Sequence, residues 1–128
     1  MKMSKKISIV IPCYNEQENV AAIAAAVKEQ FDTVDILKKY DYDIIFMDNA
    51  SKDATREKIR EIAAKDKHIK AIFNAKNFGQ FNSPYYGMLQ SDGDATMLMA
   101  ADFQDPPEMI AKYVAGWEEG SKIVIGIK

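Results

Sequence analysis

Apolar stretches of strand length alternate with amphipathic stretches of helix length from one end of the chain to the other. Ile7-Ser8-Ile9-Val10-Ile11 is a β-branched run closed by Pro12, and after it Val20, Ile23, Ala24, Val27, Phe31 and Val34 recur at helical spacing. Ile44 to Met47 forms a second strand leading into Asp48, followed by a helix with Ile59, Ile62 and Ala63 on one face and a polar turn from Lys65 to His68. Ile69 to Phe73 makes a third strand, and beyond a polar loop with Gly79 comes a short helix that reaches Gln90. Pro84 opens that helix behind Ser83 as N-cap, or kinks it. Ala95 to Met99 is the fourth strand, and Pro106 and Pro107 start a helix with Met109, Ile110, Tyr113, Val114 and Trp117 on one face. Ile123 to Ile125 is a fifth strand. This alternation predicts an α/β fold, a mostly parallel sheet of about five strands with helices on both faces.

A chain of 128 residues, 48% of them apolar, is enough for one domain with one core, spanning residues 1–128. The last predicted strand has nothing after it to cover it, so a domain that continues past Lys128 is expected. A net charge of -2, with the lysines and arginines scattered among acids, leaves no footprint for nucleic acid. Cys13 stands alone, which excludes an internal disulfide framework; no apolar run approaches the ~20 residues that span a bilayer. The start of the chain does not read as a signal peptide, so a cytoplasmic location is expected.

Polar side chains gather where the predicted strands end: Asn15 and Glu16, Asp48 and Asn49, Asn74 and Asn77, Asp102 and Gln104. Parallel strands would bring all four groups to one edge, where open α/β sheets bind ligands. Asn15 with Glu18, and Asp105 with Glu108, each also fit a capping box, with Pro106 at the first helical position. Ser51 and Asp53 read as helix-start residues, Asp53 with a second role in shaping its loop. Asp48 and Asp102 are harder to explain as caps, because an acid ending a buried strand with no evident cation beside it loses hydration unless a ligand or metal pairs with it. Asp102 and Gln104 lie two apart, so in extended backbone both oxygens share one face, and Mg2+ or Mn2+ bound to a diphosphate suits them. His68 reads as an exposed turn residue, Cys13 as a small filler, and Trp117 and Tyr85-Tyr86 as packing. Neither a Gly-x-Gly-x-x-Gly nor a Walker-type loop is present.

Three segments together, Val10-Ile11-Pro12-Cys13-Tyr14-Asn15-Glu16, Met47-Asp48-Asn49-Ala50-Ser51-Lys52-Asp53 and Asp102-Phe103-Gln104-Asp105-Pro106-Pro107-Glu108, resemble family 2 glycosyltransferases. The likeness is greatest to the polyprenyl-phosphate group that includes dolichol-phosphate mannosyltransferase and bactoprenol glucosyltransferases. It implies a GT-A fold, a Rossmann-like sheet, whose N-terminal nucleotide-sugar-binding domain this chain would be. It further implies inverting transfer of a sugar to a polyprenyl phosphate at the cytoplasmic face of a membrane, with acceptor-binding and membrane-associating segments beyond Lys128.

By the same resemblance Pro12, Tyr14 and Glu16 form the nucleoside-side loop, Asp48 lies near the base or ribose, and Asn77 belongs to the nucleotide-sugar contacts. Asp102 and Gln104 hold the divalent metal and diphosphate, with Asp102 the residue through which catalysis runs. A UDP-sugar is favoured, with GDP and TDP as alternatives. Two departures from the family pattern stand out. Asp-Asp-Gly-Ser reads Asp48-Asn49-Ala50-Ser51, so that a base contact comes from the Asn49 amide or is absent, and Asp-x-Asp reads Ala100-Ala101-Asp102, which removes one metal ligand. Alternatives left open are a receiver-like module with Asp48 as phosphoacceptor, a nucleotidyltransferase, and a soluble glycosyltransferase acting on a saccharide.

Overall fold

The computed structural model describes residues 5–49, 51–74, 95–99, 101 and 106–118. The expected helix reaching Gln90 and the expected strand Ile123–Ile125 lie outside these residues. So do Asn77, Asp102, Gln104 and Asp105, together with the side chains of Asn49 and Asn74.

The described elements are β1 (Lys6–Cys13), α1 (Val20–Thr33), α2 (Asp35–Lys38), β2 (Asp41–Asn49), α3 (Thr55–Lys65), β3 (Ile69–Asn74), β4 (Ala95–Leu98) and α4 (Met109–Glu118). The four strands form one sheet in the order β3-β2-β1-β4, parallel throughout. β1 is interior to the sheet, and every side chain from Ile7 to Ile11 is buried, which is why its sequence reads as an apolar run without alternation. Ile7, Ile9, Ile11 and Cys13 face the helical layer with Ile44 and Phe46 of β2 and Met97 of β4. Val20, Ile23, Val27 and Phe31 of α1, Ile59 of α3, and Ile110 and Val114 of α4 complete that core.

Several boundaries differ from the sequence reading. Pro12 does not end β1; the strand continues to Cys13, in register with Asp48. Pairing with β4 has run out by then, since its last partners are Val10 and Leu98 and the Met99 N–H donates to the Val10 carbonyl, so the missing proline donor costs no ladder bond on that side. Val34 is not part of α1: it takes an extended conformation at φ -87 and ψ 122, packs against the core, and leads into α2, an element the periodicity does not predict. Pro106 and Pro107 precede α4 rather than starting it, their carbonyls accepting the Met109 and Ile110 N–H groups in a tight turn.

β2 begins three residues before the expected apolar run, and the added residues carry a buried charge. Asp43, 2% exposed, pairs with Lys70 at 3.0 Å and Lys6 at 3.5 Å. Neither of its oxygens makes an aligned hydrogen bond among the described residues, so the contact is chiefly ionic. His68, expected as an exposed turn residue, instead closes a three-ring stack. Tyr42 stacks on Phe31 at 4.4 Å and on His68 at 4.2 Å, the planes of both nearly parallel to its own. Asp66 accepts from the His68 backbone and lies 2.9 Å from its Nδ1. Packing area and an acid on the adjoining turn thus fix the imidazole just before β3 starts, at the amino-terminal edge of the sheet.

Phe46 is fully buried at the centre of the core. Phe46→Ala is expected to cost about 3–5 kcal/mol, read as a lowered urea midpoint with an unchanged slope.

Candidate active site

Because all four strands are parallel, the loops after β1, β2 and β3 and the segment after β4 leave from the same edge. The chain builds outward from β1 through β2 to β3, then returns to the other side of β1 to place β4. The crevice between the ends of β1 and β4 is therefore the switch point at which sheets of this kind bind ligands.

The loop after β1 and the loop after β2 are tied together by hydrogen bonds. Asn15 adopts a left-handed backbone at φ 54, a conformation that asparagine tolerates better than most residues. Its N–H donates to Ser51 Oγ at 2.9 Å, and its Oδ1 accepts from the Lys52 N–H at 2.8 Å and the Asp53 N–H at 3.4 Å. Next to it the Glu16 N–H donates to the buried Thr55 Oγ1 at 2.8 Å, and the Gln17 N–H to Asp53 Oδ2 at 3.3 Å. Gln17 Oε1 returns the connection by accepting from the Ala54 N–H at 2.9 Å. Asn15, Glu16, Gln17, Glu18, Asn19 and Asp53 line a cleft of about 260 Å3 along this seam.

These contacts replace the expected capping box of Asn15 with Glu18. The N-cap of α1 is Asn19, whose side chain makes no capping bond and instead donates to Glu16 Oε1 at 3.0 Å. The Glu16 carbonyl accepts from the N–H groups of Asn19 and Val20. With its side-chain acceptor spent on the neighbouring loop, Asn15 has no part in starting the helix. Asp53 does both things expected of it. It accepts from the Thr55 N–H at 2.9 Å at the start of α3, and also from the Thr55 hydroxyl and the Gln17 backbone. What burial it has would raise its carboxyl, but these hydrogen bonds outweigh that and hold it below the usual carboxylate value.

Asp48 is fully buried, and its partner lies within the chain. Arg56 Nε, in the first turn of α3, sits 2.6 Å from Asp48 Oδ2, which also accepts the Ser51 N–H at 3.1 Å. The partner expected for this acid was a ligand or metal as the simplest choice; an arginine eight residues further on, reached across the turn into α3, takes that place. Oδ1 of Asp48 has no hydrogen-bond partner among the described residues. The Arg56 guanidinium also lies over the Phe73 ring at 5.4 Å, with that of Arg60 at 4.8 Å. Sequence reasoning passed over Arg56; its placement one turn into a helix that follows a buried strand-end acid was the available signal.

The remaining expected residues divide clearly. Tyr14 is 42% exposed, the one large hydrophobic side chain so exposed among the described residues, while Pro12 and Glu16 beside it are half-buried. Asn49 closes β2. Cys13 is buried, and burial pushes its thiol up, with the negative charges of Asp48 and Glu16 adding to the effect. Among the described residues no three metal-capable side chains converge. His68 lies at the far edge of the sheet, away from the crevice.

Glycosyl transferase family 2 matches residues 8–127, nearly the whole chain. The chain belongs to that family. Family 2 membership displaces the receiver and nucleotidyltransferase readings. The bactoprenol glucosyl transferase of Shigella phage SfX is 32% identical over 120 residues, covering 94% of this chain and 38% of that protein. The undecaprenyl-phosphate 4-deoxy-4-formamido-L-arabinose transferase of Proteus mirabilis is 35% identical over 122 residues, covering 93% of this chain and 36% of that protein. The chain thus spans less than two-fifths of the length of these family 2 relatives.

The mannosyltransferase PcManGT of Pyrobaculum calidifontis, solved with GDP-Man and Mn2+, superposes with a TM-score of 0.70 at 18% identity, over 88% of this chain and 32% of that one. Glucosyl-3-phosphoglycerate synthase of Mycobacterium tuberculosis, solved with Mn2+, UDP-Glc and phosphoglyceric acid, gives 0.66 at 19% identity, over 91% and 40%. The fold is the GT-A sheet of these structural neighbours, here with four described strands.

Two outcomes are expected. Arg56→Met should destabilise by about 2 kcal/mol, less than for a fully enclosed ion pair because the arginine is partly exposed, and Asp48→Asn in that background should recover part of the loss in urea denaturation. Cys13 should resist a thiol-disulfide reagent at pH 8 in the folded chain and react fully once unfolded, as followed by absorbance.

Proposed function

We propose that this chain is the nucleotide-sugar-binding part of a glycosyltransferase that transfers a sugar, with inversion, from a nucleoside diphosphate to a polyprenyl phosphate at the cytoplasmic face of a membrane. The observation that carries the reading is Tyr14: an exposed aromatic ring on a loop that is otherwise fastened down, beside the crevice between β1 and β4. A ring left in water on a rigid loop offers a face for a nucleobase or ribose to cover. The named activities of the bactoprenol and undecaprenyl-phosphate relatives support the acceptor, and the GDP-Man and UDP-Glc complexes of the structural neighbours support the donor class.

Pro12, Tyr14 and Glu16 would border the nucleoside, with Asp48 and Asn49 at the base or ribose and Asn77 among the further donor contacts. Asp48 contributes Oδ1 alone, since Oδ2 is taken by Arg56 and the Ser51 N–H. Asp102 and Gln104 would hold Mg2+ or Mn2+; one carboxylate and one amide oxygen are a lean donor set that a diphosphate completes. When bound, the metal supplies Lewis-acid stabilisation of charge on the departing diphosphate. A phosphate acceptor is already ionised near neutral pH, so it needs no strong base. A UDP-sugar is favoured, with GDP and TDP donors as alternatives.

Calorimetric titration of the 128-residue chain with UDP, GDP and TDP, with and without Mg2+ or Mn2+, tests this. One nucleotide should bind with metal, and Asp102→Ala should weaken it about tenfold or more. Tyr14→Ala should cost about 1 kcal/mol or more of binding at unchanged thermal stability. No binding of any of the three nucleotides would refute the reading.

A further inference from the structure

We infer that Asn15 is a positioning residue that fastens the loop after β1 to the loop after β2, so that the two receive a nucleoside diphosphate as one rigid jaw; this rests on the reading of the site given above. Tyr14 precedes Asn15 and Glu16 follows it, and both are proposed to border the nucleoside. Their directions are fixed by one residue held at φ 54. Four N–H groups in the two loops, those of Asn15, Lys52, Glu16 and Ala54, are satisfied by side chains of the opposite loop at 2.8–2.9 Å. Asn15 takes part in two of these four bonds, once through its own N–H and once through Oδ1, which also accepts the longer bond from Asp53.

The chemistry explains why asparagine serves here. The left-handed backbone admits glycine at no cost and asparagine or aspartate at little, but glycine lacks the side-chain acceptor with which Asn15 reaches two consecutive amides of the next loop. Glycine at this position would keep the path of the chain and lose the fastening. Aspartate would keep both the acceptor and the tolerance of positive φ, so these two substitutions separate backbone geometry from loop coupling. The seam closes further along through Gln17, whose Oε1 holds the Ala54 N–H and whose own N–H holds Asp53. If the two loops moved independently, a ligand would have to order both; held together they are ordered beforehand, and binding is tighter for it.

The test compares wild type with Asn15→Gly, Asn15→Asp and Gln17→Ala, using UDP, GDP and TDP with Mg2+ as the probes. Affinity is read by calorimetry, and hydrogen exchange at the Lys52, Asp53 and Ala54 amides by NMR. Asn15→Gly should lose protection at Lys52 and Asp53 and bind nucleotide roughly tenfold more weakly, as when two loop hydrogen bonds must be re-formed on binding. Asn15→Asp should keep both within about threefold at 0.15 M salt, where its added charge is screened. Gln17→Ala, which leaves the strained backbone untouched, should free the Ala54 amide and weaken binding in the same direction by a smaller factor. Unchanged amide protection in Asn15→Gly overturns the inference whether or not nucleotide binds, as does unchanged affinity in that variant. Wild type that binds none of UDP, GDP and TDP overturns the reading of the site instead.

Discussion

Strand β1 must find hydrogen-bond partners along both edges while every side chain from Ile7 to Ile11 is withdrawn from water. β2, buried from Tyr42 to Asp48 between β1 and β3, meets the same demand. A chain that meets this demand with parallel neighbours has to cross over the sheet each time, which accounts for the helical layer and for the shared edge at which the strands finish. The crevice is a by-product of the same demand. To pair the second edge of β1, the chain turns back past its own beginning, and the ends of β1 and β4 are left adjacent.

At that edge the fold faces a cost that it meets internally. Asp48 is carried into the protein by a strand whose other residues want burial, and an isolated carboxylate there would be expensive. Arg56 offsets it from the first turn of α3, drawing the start of that helix toward the strand end, while the Ser51 N–H takes a second contact with the same oxygen. The loop between them is thereby short of freedom, and it is this restrained loop that offers Ser51, Lys52, Asp53 and Thr55 to the residues after β1. Burial of one charge and the stiffness of the seam are in this sense a single arrangement.

The strands and principal helices were legible because their signals are local: β-branched runs for β1 to β3, and repeated apolar spacing for α1, α3 and α4. The family could be read from three short segments for a similar reason, since each is contiguous. What escaped was non-local or depended on competition between local options. Asn15 fits a capping box by spacing, yet its carbonyl oxygen is used 37 residues away at Lys52. Arg56 is marked as the partner of Asp48 only by its place in the first turn of the helix after that strand, a weak signal that competes with an ordinary solvated arginine. His68 sits in a charged turn, and only the fold reveals that Tyr42 and Phe31 lie beneath it. The extension of β2 back to Asp41 was hidden because charged residues do not read as strand, although Asp43 is one of the more deeply buried groups in the protein.

Asp43 has a consequence for how the sheet is assembled. Ser8 of β1 stands opposite it in the ladder, and the lysines that reach it, Lys6 and Lys70, come from the two strands that flank β2. All of these lie on the face opposite the apolar layer formed by Ile7, Ile9, Tyr42 and Ile44. Strand side chains alternate, so sliding β1 or β3 by one residue against β2 would push an ammonium or a carboxylate in among those apolar groups. The cluster acts as an alignment key: it contributes less by attraction than by making every neighbouring register untenable, and the edge where the loops meet inherits its alignment from charges at the other end of the strands.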